Sequence, residues 1–378
     1  MLPVRPVLCV VGARPNFMKI APIMRAFKSA AVPAVLLHTG QHYDAEMNDA
    51  FFEDLGIPQP DINLGVGSGT HAQQTAEIML KVEPVLDAHA PAAILVVGDV
   101  NSTIACALVA AKKGIPVIHV EAGLRSRDRS MPEEINRVLT DQISDLLFTT
   151  ERTALDNLTQ EGIDPARVHF VGNVMIDTLY YNLQRAKPAT ETLAALGIDP
   201  ERIGSAGFAL LTLHRPSNVD DAGILARLVD CLNQIAQDLP LVFPIHPRTR
   251  NRLEQFGLLP RLSPERIICT PPLGYLQLLG LMRQARVVLT DSGGIQEETT
   301  ALGIPCITLR DNTERPITLS EGTNTLVGND PARILAALAA TLQQVTEKRS
   351  IPEHWDGQAA ERIVSIIAKW RNSMILTT

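Results

Sequence analysis

Short, nearly continuously apolar runs alternate with longer stretches of helical spacing along this chain, and that alternation constrains the fold most. The runs are Val7–Val11, Val32–His38, Ala93–Val97, Pro116–Val120, Leu146–Thr149 and Val168–Val171. A strand that is apolar on both faces needs cover on both, as in a parallel sheet flanked by helices. Between the runs lie helical stretches such as Pro15–Lys28, Ala72–His89 and Thr103–Lys113, the last closed by Gly114-Ile-Pro. This rhythm predicts right-handed βαβ units and an α/β class.

The rhythm breaks over residues 177–206, where Lys187-Pro and Asp199-Pro carry turn signals. It resumes with Phe208–Leu213, Leu241–Ile245, Ile267–Cys269, Val287–Thr290 and Cys306–Leu309. At about 100–200 residues per domain, a chain of 378 residues divides into 1–176 and 177–356, followed by an amphipathic segment at 357–378. Apolar residues make up 46% and charged residues 20%, enough for a sizeable core and too apolar for disorder. The net charge of −7, without a block of like charge, argues against nucleic acid or an anionic membrane as partner. The five cysteines (9, 106, 231, 269 and 306) never pair as C-x-x-C, so neither a disulfide framework nor a zinc ribbon is expected. His spacing offers no metal motif, and no metal or other cofactor is assigned. With no signal-peptide pattern and no long apolar run, the expectation is a cytoplasmic protein.

In open α/β sheets ligands lie beyond the carboxyl ends of the strands, so polar residues there are the candidates. The first strand runs into Gly12-Ala-Arg14-Pro15 and then Lys19, cations beside a helix start. It lacks a G-x-G-x-x-G pattern, so a dinucleotide site has no support. Gly98-Asp99 ends another strand, with Asn101 and Ser102 available to cap the next helix and leave Asp99 free. His119-Val-Glu121 ends a third, and a glutamate there is poor strand material unless it has a partner or a task. Glu133 and Glu134 open a helix after Met131-Pro, a favourable placement against the helix dipole in any case. Asp99, Glu121 and Glu133 nevertheless form a carboxylate set suited to proton transfer.

The second half places His214-Arg215 and His246-Pro-Arg248 at equivalent strand ends. Thr290-Asp-Ser292-Gly293-Gly294 runs from a strand straight into a helix that ends at Gly303-Ile-Pro305. Glycines there let backbone N–H groups approach an anion, with the Ser292 hydroxyl as a further donor. Glu298 lies one turn in, suited to accepting ribose hydroxyls, and Arg315 follows on a later loop. A plain βα turn with a capping serine is the competing reading of the Ser-Gly-Gly segment.

Seven blocks in order carry a resemblance: GARP with Lys19, GD at 98–99, HVEAGLR at 119–125, PEEINR at 132–137, HR at 214–215, TDSGGIQEE at 290–298 and RDNTERP at 310–316. The chain resembles the non-hydrolysing UDP-N-acetylglucosamine 2-epimerases over nearly its whole length. The resemblance implies a glycosyltransferase-B-like fold of two Rossmann-like domains, an active site in the cleft between them, the 357–378 helix packing back on the first domain, and a homodimer. It implies that Ser292, Gly293, Gly294 and Glu298 hold the UDP moiety, that Arg14, Lys19, Arg137 and Arg315 serve substrate binding, and that uracil lies near Pro272 and Tyr275. Asp99, Glu121, Glu133 and His214 become the groups that remove and return a proton at C2 of the sugar.

Two departures from the family pattern bear on regulation. Many bacterial relatives are activated by their own substrate at a second site, of which Gln41, His42, Arg215 and His246 would be this chain's counterparts. Tyr43 stands where that pattern has arginine, and another expected arginine is missing from Gly67-Ser-Gly-Thr, so weak or absent activation is expected. Rival readings are a 2-epimerase of UDP-2,3-diacetamido-2,3-dideoxyglucuronate, a glycosyltransferase of the same fold, a hydrolysing 2-epimerase, and a nucleotide-sugar binding protein without turnover.

Overall fold

A computed structural model describes residues 5–41, 52, 56, 58–204, 207–343 and 351–376. The chain divides into two compact units, residues 1–180 with 353–378, and residues 181–352.

The first unit is built on seven strands: β1 (Val7–Val11), β2 (Ala34–His38), β3 (Ile62–Asn63), β4 (Ala93–Val97), β5 (Val117–Ala122), β6 (Leu146–Thr149) and β7 (Val168–Phe170). They form one parallel sheet in the order β3-β2-β1-β4-β5-β6-β7. Every residue of β1, β4 and β5 is buried, which explains why these runs show no polar alternation. The strand order reverses between β1 and β4, and ligands of such sheets bind at that reversal. Ile78, Val82 and Leu86 of the His71–His89 helix cover one face together with Ala105, Cys106 and Val109 of the Asn101–Lys112 helix. The C-terminal helix, Ala359–Leu376, belongs to this unit and packs against the Arg14–Ser29 helix. Asp177 accepts the Ala359 and Ala360 N–H groups at 3.1 and 2.7 Å, satisfying donors that a helix start leaves open. Burial pushes the Asp177 carboxyl up to about 6 against the pull of those two donors.

The second unit holds β8 (Ala209–Thr212), β9 (Leu241–Pro244), β10 (Ile267–Thr270), β11 (Val287–Thr290), β12 (Cys306–Thr308) and β13 (Asn324–Leu326). These too are all parallel, in the order β10-β9-β8-β11-β12-β13, with the reversal between β8 and β11. The Ala222–Asp238 helix lays Leu225, Leu228, Val229, Leu232 and Ile235 on the sheet, where they meet Leu211, Phe243 and Leu289. Cys9, Cys106, Cys231 and Cys306 are buried free thiols and Cys269 is half-buried. Burial pushes Cys231 and Cys306 up to about 11, and the other three upward as well. Among the described residues no helix is long and apolar enough to cross a membrane, and no cluster of His, Cys, Asp or Glu side chains is arranged to hold a metal ion.

Candidate active site

In the first unit the carboxylates expected at the strand ends lie on β4, β5 and the helix that follows. Pairing between β5 and β6 shifts between Val120 and Ala122, so Glu121 is the extra residue of a bulge. Its φ of 71° lies in the left-handed region, which costs a non-glycine residue about 1–3 kcal/mol. Bulges at strand ends re-aim side chains. Here the Glu121 carboxylate is buried and its Oε2 lies 2.5 Å from Lys19 Nζ. Lys19, expected near phosphate, is thus held by a carboxylate in this structure.

Asp99 follows Gly98 at the end of β4 and is half-buried. Arg137, on the Pro132–Ile143 helix, donates to its Oδ2. Asn136 Nδ2 donates to the Asp99 backbone carbonyl at 2.9 Å. Arg137 also reaches Glu134 Oε2 at 3.3 Å. Of the two glutamates in that first turn, Glu133 is half-buried and Glu134 is buried. Glu134 accepts the N–H groups of Ser126 and Arg127 at 2.9 and 3.0 Å. Burial alone would raise its carboxyl, but these donors and Arg137 hold it below the usual range.

The capping expectation for Asn101 and Ser102 needs correction. Val100 is the N-cap residue, and its side chain makes no cap hydrogen bond. Asn101 instead turns its Nδ2 to Gln74 Oε1 at 2.8 Å. The first-turn N–H of Ser102 is satisfied by Gln41 Oε1 at 3.0 Å, a cap supplied from the loop after β2. Gln41 also accepts from the Ser102 hydroxyl at 2.6 Å. A Cβ on Gly12 would fall 2.2 Å from that hydroxyl oxygen, which is why glycine stands at the end of β1. His42, read with Gln41 as part of a possible activator site, lies outside the described residues, as does the Arg14 side chain.

In the second unit the organising group is one that sequence reasoning passed over, Asp291. It is fully buried at the end of β11, and its Oδ2 accepts the N–H groups of His214 and Arg215 at 2.9 and 2.8 Å. Asn218 Nδ2 donates to the same oxygen at 3.2 Å, and His214 Nδ1 lies 2.9 Å from Oδ1. Burial would raise this carboxyl, but the His214 ring and the backbone donors hold it down. This contact engages Nδ1 of the His214 ring and fixes the ring's orientation against Asp291. For Asp291, its position beside Ser292 in the sequence was the available signal.

His246 stacks its ring 5.4 Å from that of His214, and its Nδ1 accepts the Arg248 N–H at 3.2 Å as the cap of the Pro247–Gln255 helix. A pocket of about 190 Å³ opens here, lined by Leu213, His214, His246, Pro272, Leu278 and Ser292. Ser292 is the N-cap residue of the Gly293–Leu302 helix, yet its hydroxyl makes no cap hydrogen bond, so the capping-serine reading does not hold. One turn on, Glu298 is buried and accepts the Tyr275 hydroxyl at 2.8 Å. Burial pushes Glu298 up to about 7, opposed by the Tyr275 bond and reinforced by the charge of Glu297. Burial and Glu298 likewise push the Tyr275 hydroxyl up. Arg315 Nε lies 3.1 Å from Glu297 Oε1.

A family model described as UDP-N-acetylglucosamine 2-epimerase matches residues 25–368. A UDP-N-acetylglucosamine 2-epimerase of Methanococcus maripaludis is 41% identical over 366 residues, 95% of this chain and 97% of that one. The UDP-2,3-diacetamido-2,3-dideoxy-D-glucuronate 2-epimerase of Pseudomonas aeruginosa is also 41% identical, over 96% of this chain and 99% of its own. The crystal structure of Methanocaldococcus jannaschii UDP-GlcNAc 2-epimerase in complex with UDP-GlcNAc and UDP matches with a TM-score of 0.81 and 42% identity, covering 96% of this chain and 99% of that one. A sucrose-phosphate synthase from Thermosynechococcus elongatus, at 12% identity and a TM-score of 0.61 over 99% of this chain and 100% of that one, shares the fold alone, which is glycosyltransferase-B-like. Two parallel sheets with carboxylates at the strand ends of one and a Ser-Gly-Gly helix start on the other thus meet a family model spanning most of the chain: this protein belongs to the UDP-N-acetylglucosamine 2-epimerase family.

Proposed function

We propose that the chain interconverts UDP-N-acetylglucosamine and UDP-N-acetylmannosamine by inverting C2 of the sugar. The observation that carries this reading is the bulged, left-handed Glu121 with its carboxylate on Lys19, while Asp99, just past the end of the neighbouring strand β4, is held by Arg137. Backbone strain kept at a buried carboxylate points to a functional position.

The C2 proton of the substrate is not α to a carbonyl, so simple deprotonation is out of reach. Elimination solves this. One carboxylate takes the C2 proton as the C1–O bond to UDP breaks, a C1=C2 double bond forms, and UDP leaves with the electron pair. Reversal, with a proton delivered to the opposite face of C2 and UDP returning to C1, gives the epimer. Asp99, Glu121, Glu133 and His214 are the proposed proton-handling groups. Positive charge and backbone N–H groups stabilise the departing diphosphate. Ser292, Gly293, Gly294 and Arg315 are assigned to it, with Arg14 and Lys19 as further cations. Glu298 is assigned to the ribose, and Pro272 and Tyr275 to the uracil.

Proton NMR of the purified protein with UDP-N-acetylglucosamine in deuterated buffer tests the reading, with interconversion and deuterium at C2 expected. Free sugar would mark a hydrolytic enzyme and sink the proposal. Asp99→Asn and Glu121→Gln should abolish deuterium incorporation while UDP still binds by calorimetry; lost UDP binding would make both residues structural. The equal similarity to the Pseudomonas aeruginosa enzyme favours one second reading, a 2-epimerase of the diacetamido-glucuronate sugar. It predicts no exchange with UDP-N-acetylglucosamine and exchange with that substrate.

A further inference from the structure

His119 lies two residues before Glu121 and is completely buried, as is Asp141 of the Pro132–Ile143 helix. The ring Nδ1 sits 2.7 Å from Asp141 Oδ1, and Nε2 sits 2.8 Å from the backbone oxygen of Gly98. A carbonyl oxygen only accepts, so Nε2 carries a proton. Asp141 has further partners of its own. Burial would raise its carboxyl, but the His119 ring and the Arg125 guanidinium hold it below the usual range. Its Oδ2 is already taken by the Gly123 N–H at 3.1 Å and by Arg125 Nη2 at 2.7 Å. Both ring nitrogens of His119 therefore face oxygens, a carboxylate on one side and a backbone carbonyl on the other. Arg125 continues the chain of charges to Glu161, at 2.6 Å from its Oε2. The network thus runs from His119 through Asp141 and Arg125 to Glu161.

The contacts fall on either side of the carboxylates assigned to proton transfer. Gly98 immediately precedes Asp99, and Gly123 follows Glu121 by two residues. Gly123 has no room for a side chain, since a Cβ there would lie 2.7 Å from the Ala154 carbonyl oxygen. The bulge at Glu121 is thus bounded by one bond from its own strand to the end of β4 and by a second from the Asp141 carboxylate to the Gly123 backbone. We propose that His119 and Asp141 are positioning residues, a hydrogen-bonded clamp that ties the end of β4 to the bulge of β5 and so fixes Asp99 and Glu121 relative to each other. Neither needs to touch substrate. The proposal rests on the proton-transfer role of Asp99 and Glu121 given above.

Two half-replacements separate the two bonds. An asparagine amide sits near the place of Nδ1 and a glutamine amide near that of Nε2, so His119→Asn keeps a donor for Asp141 and His119→Gln keeps one for Gly98. We expect both, and Asp141→Asn, to lower kcat about tenfold to a hundredfold, as ångström-scale misplacement of catalytic groups does. KM and the UDP dissociation constant should stay within about threefold in each, because no assigned nucleotide contact is altered. Unchanged kcat in folded His119 variants would overturn the clamp, and so would a parallel loss of UDP binding. Should these variants fail to fold, the native protein still decides: ¹⁵N NMR of its histidines should show both ring nitrogens of His119 engaged in hydrogen bonds. A ring nitrogen of His119 without a hydrogen bond would overturn the proposal. Turnover retained by Asp99→Asn and Glu121→Gln would instead remove the reading on which the clamp's catalytic meaning rests, and leaves the NMR signature unaffected.

Discussion

Two buried glutamates, Glu121 and Glu298, meet opposite electrostatic environments. Glu121 has an ammonium at 2.5 Å. Glu298 has a hydroxyl donor and the like charge of Glu297, and burial dominates and lifts it to about 7. Ribose hydroxyls that donate to Glu298 favour its ionised form, so UDP binding should release a proton near neutrality and strengthen as pH rises from 6 to 8. Calorimetry in buffers of different ionisation enthalpy reads that proton. Because UDP phosphate titrates nearby, the control is Glu298→Gln, which should bind more weakly and lose the part of the pH dependence that belongs to residue 298. Asp291 illustrates why some of the site was hidden in the sequence. Within TDSGGIQEE it reads as a turn residue, and only the fold of β8 beside β11 turns the His214 and Arg215 amides onto it. Asp141 is the same case, an aspartate in the last turn of its helix whose partners lie 16 to 22 residues away.

Most strands could be read directly because both faces are buried and the apolar runs are unbroken. The exceptions are informative. β3 spans two residues and β13 three, both at sheet edges, where a strand is too short to show any period. The bulge at Glu121 was illegible for a different reason: it is a property of the β5–β6 register and belongs to neither strand alone. The cap of the Asn101–Lys112 helix also comes from a distance, through Gln41, so local cap rules pointed to the wrong side chains. The C-terminal helix depends on a remote cap too. Asp177→Ala should loosen its first turn and cost about 1–2 kcal/mol, read from denaturant unfolding. Its titration gives a sign as well. A folded carboxyl near 6, above the usual unfolded value of about 3.9, binds its proton more tightly when folded, so this group's contribution to stability is present at low pH and fades as pH rises from 4 to 6. Asp177→Asn should lack that slope and match the parent most closely at low pH.

Each unit closes its own core around its own parallel sheet, so each has the makings of an independently cooperative body. In the first unit, Leu80, Ile135 and Leu139 leave large apolar side chains exposed on helices that flank the Asn101–Lys112 helix. We expect a homodimer that covers this surface. Sedimentation equilibrium should show a dimer for the parent chain and a monomer for a Leu80→Asp, Leu139→Asp double variant. A monomeric parent would remove the expectation. Activation by substrate is expected to be weak or absent, giving hyperbolic rates with UDP-N-acetylglucosamine; Gln41, one of the residues considered for that role, already spends its side-chain oxygen on Ser102. The distribution of the thiols has a practical corollary. Cys9 and Cys106 lie inside one unit, and Cys231, Cys269 and Cys306 lie in the other, all with pKa values raised by burial. An alkylating reagent therefore finds few thiolates in the folded chain and many in an opened one. Pulsed alkylation followed by peptide mass spectrometry would time the opening of each half separately, with the native cysteines serving as built-in clocks.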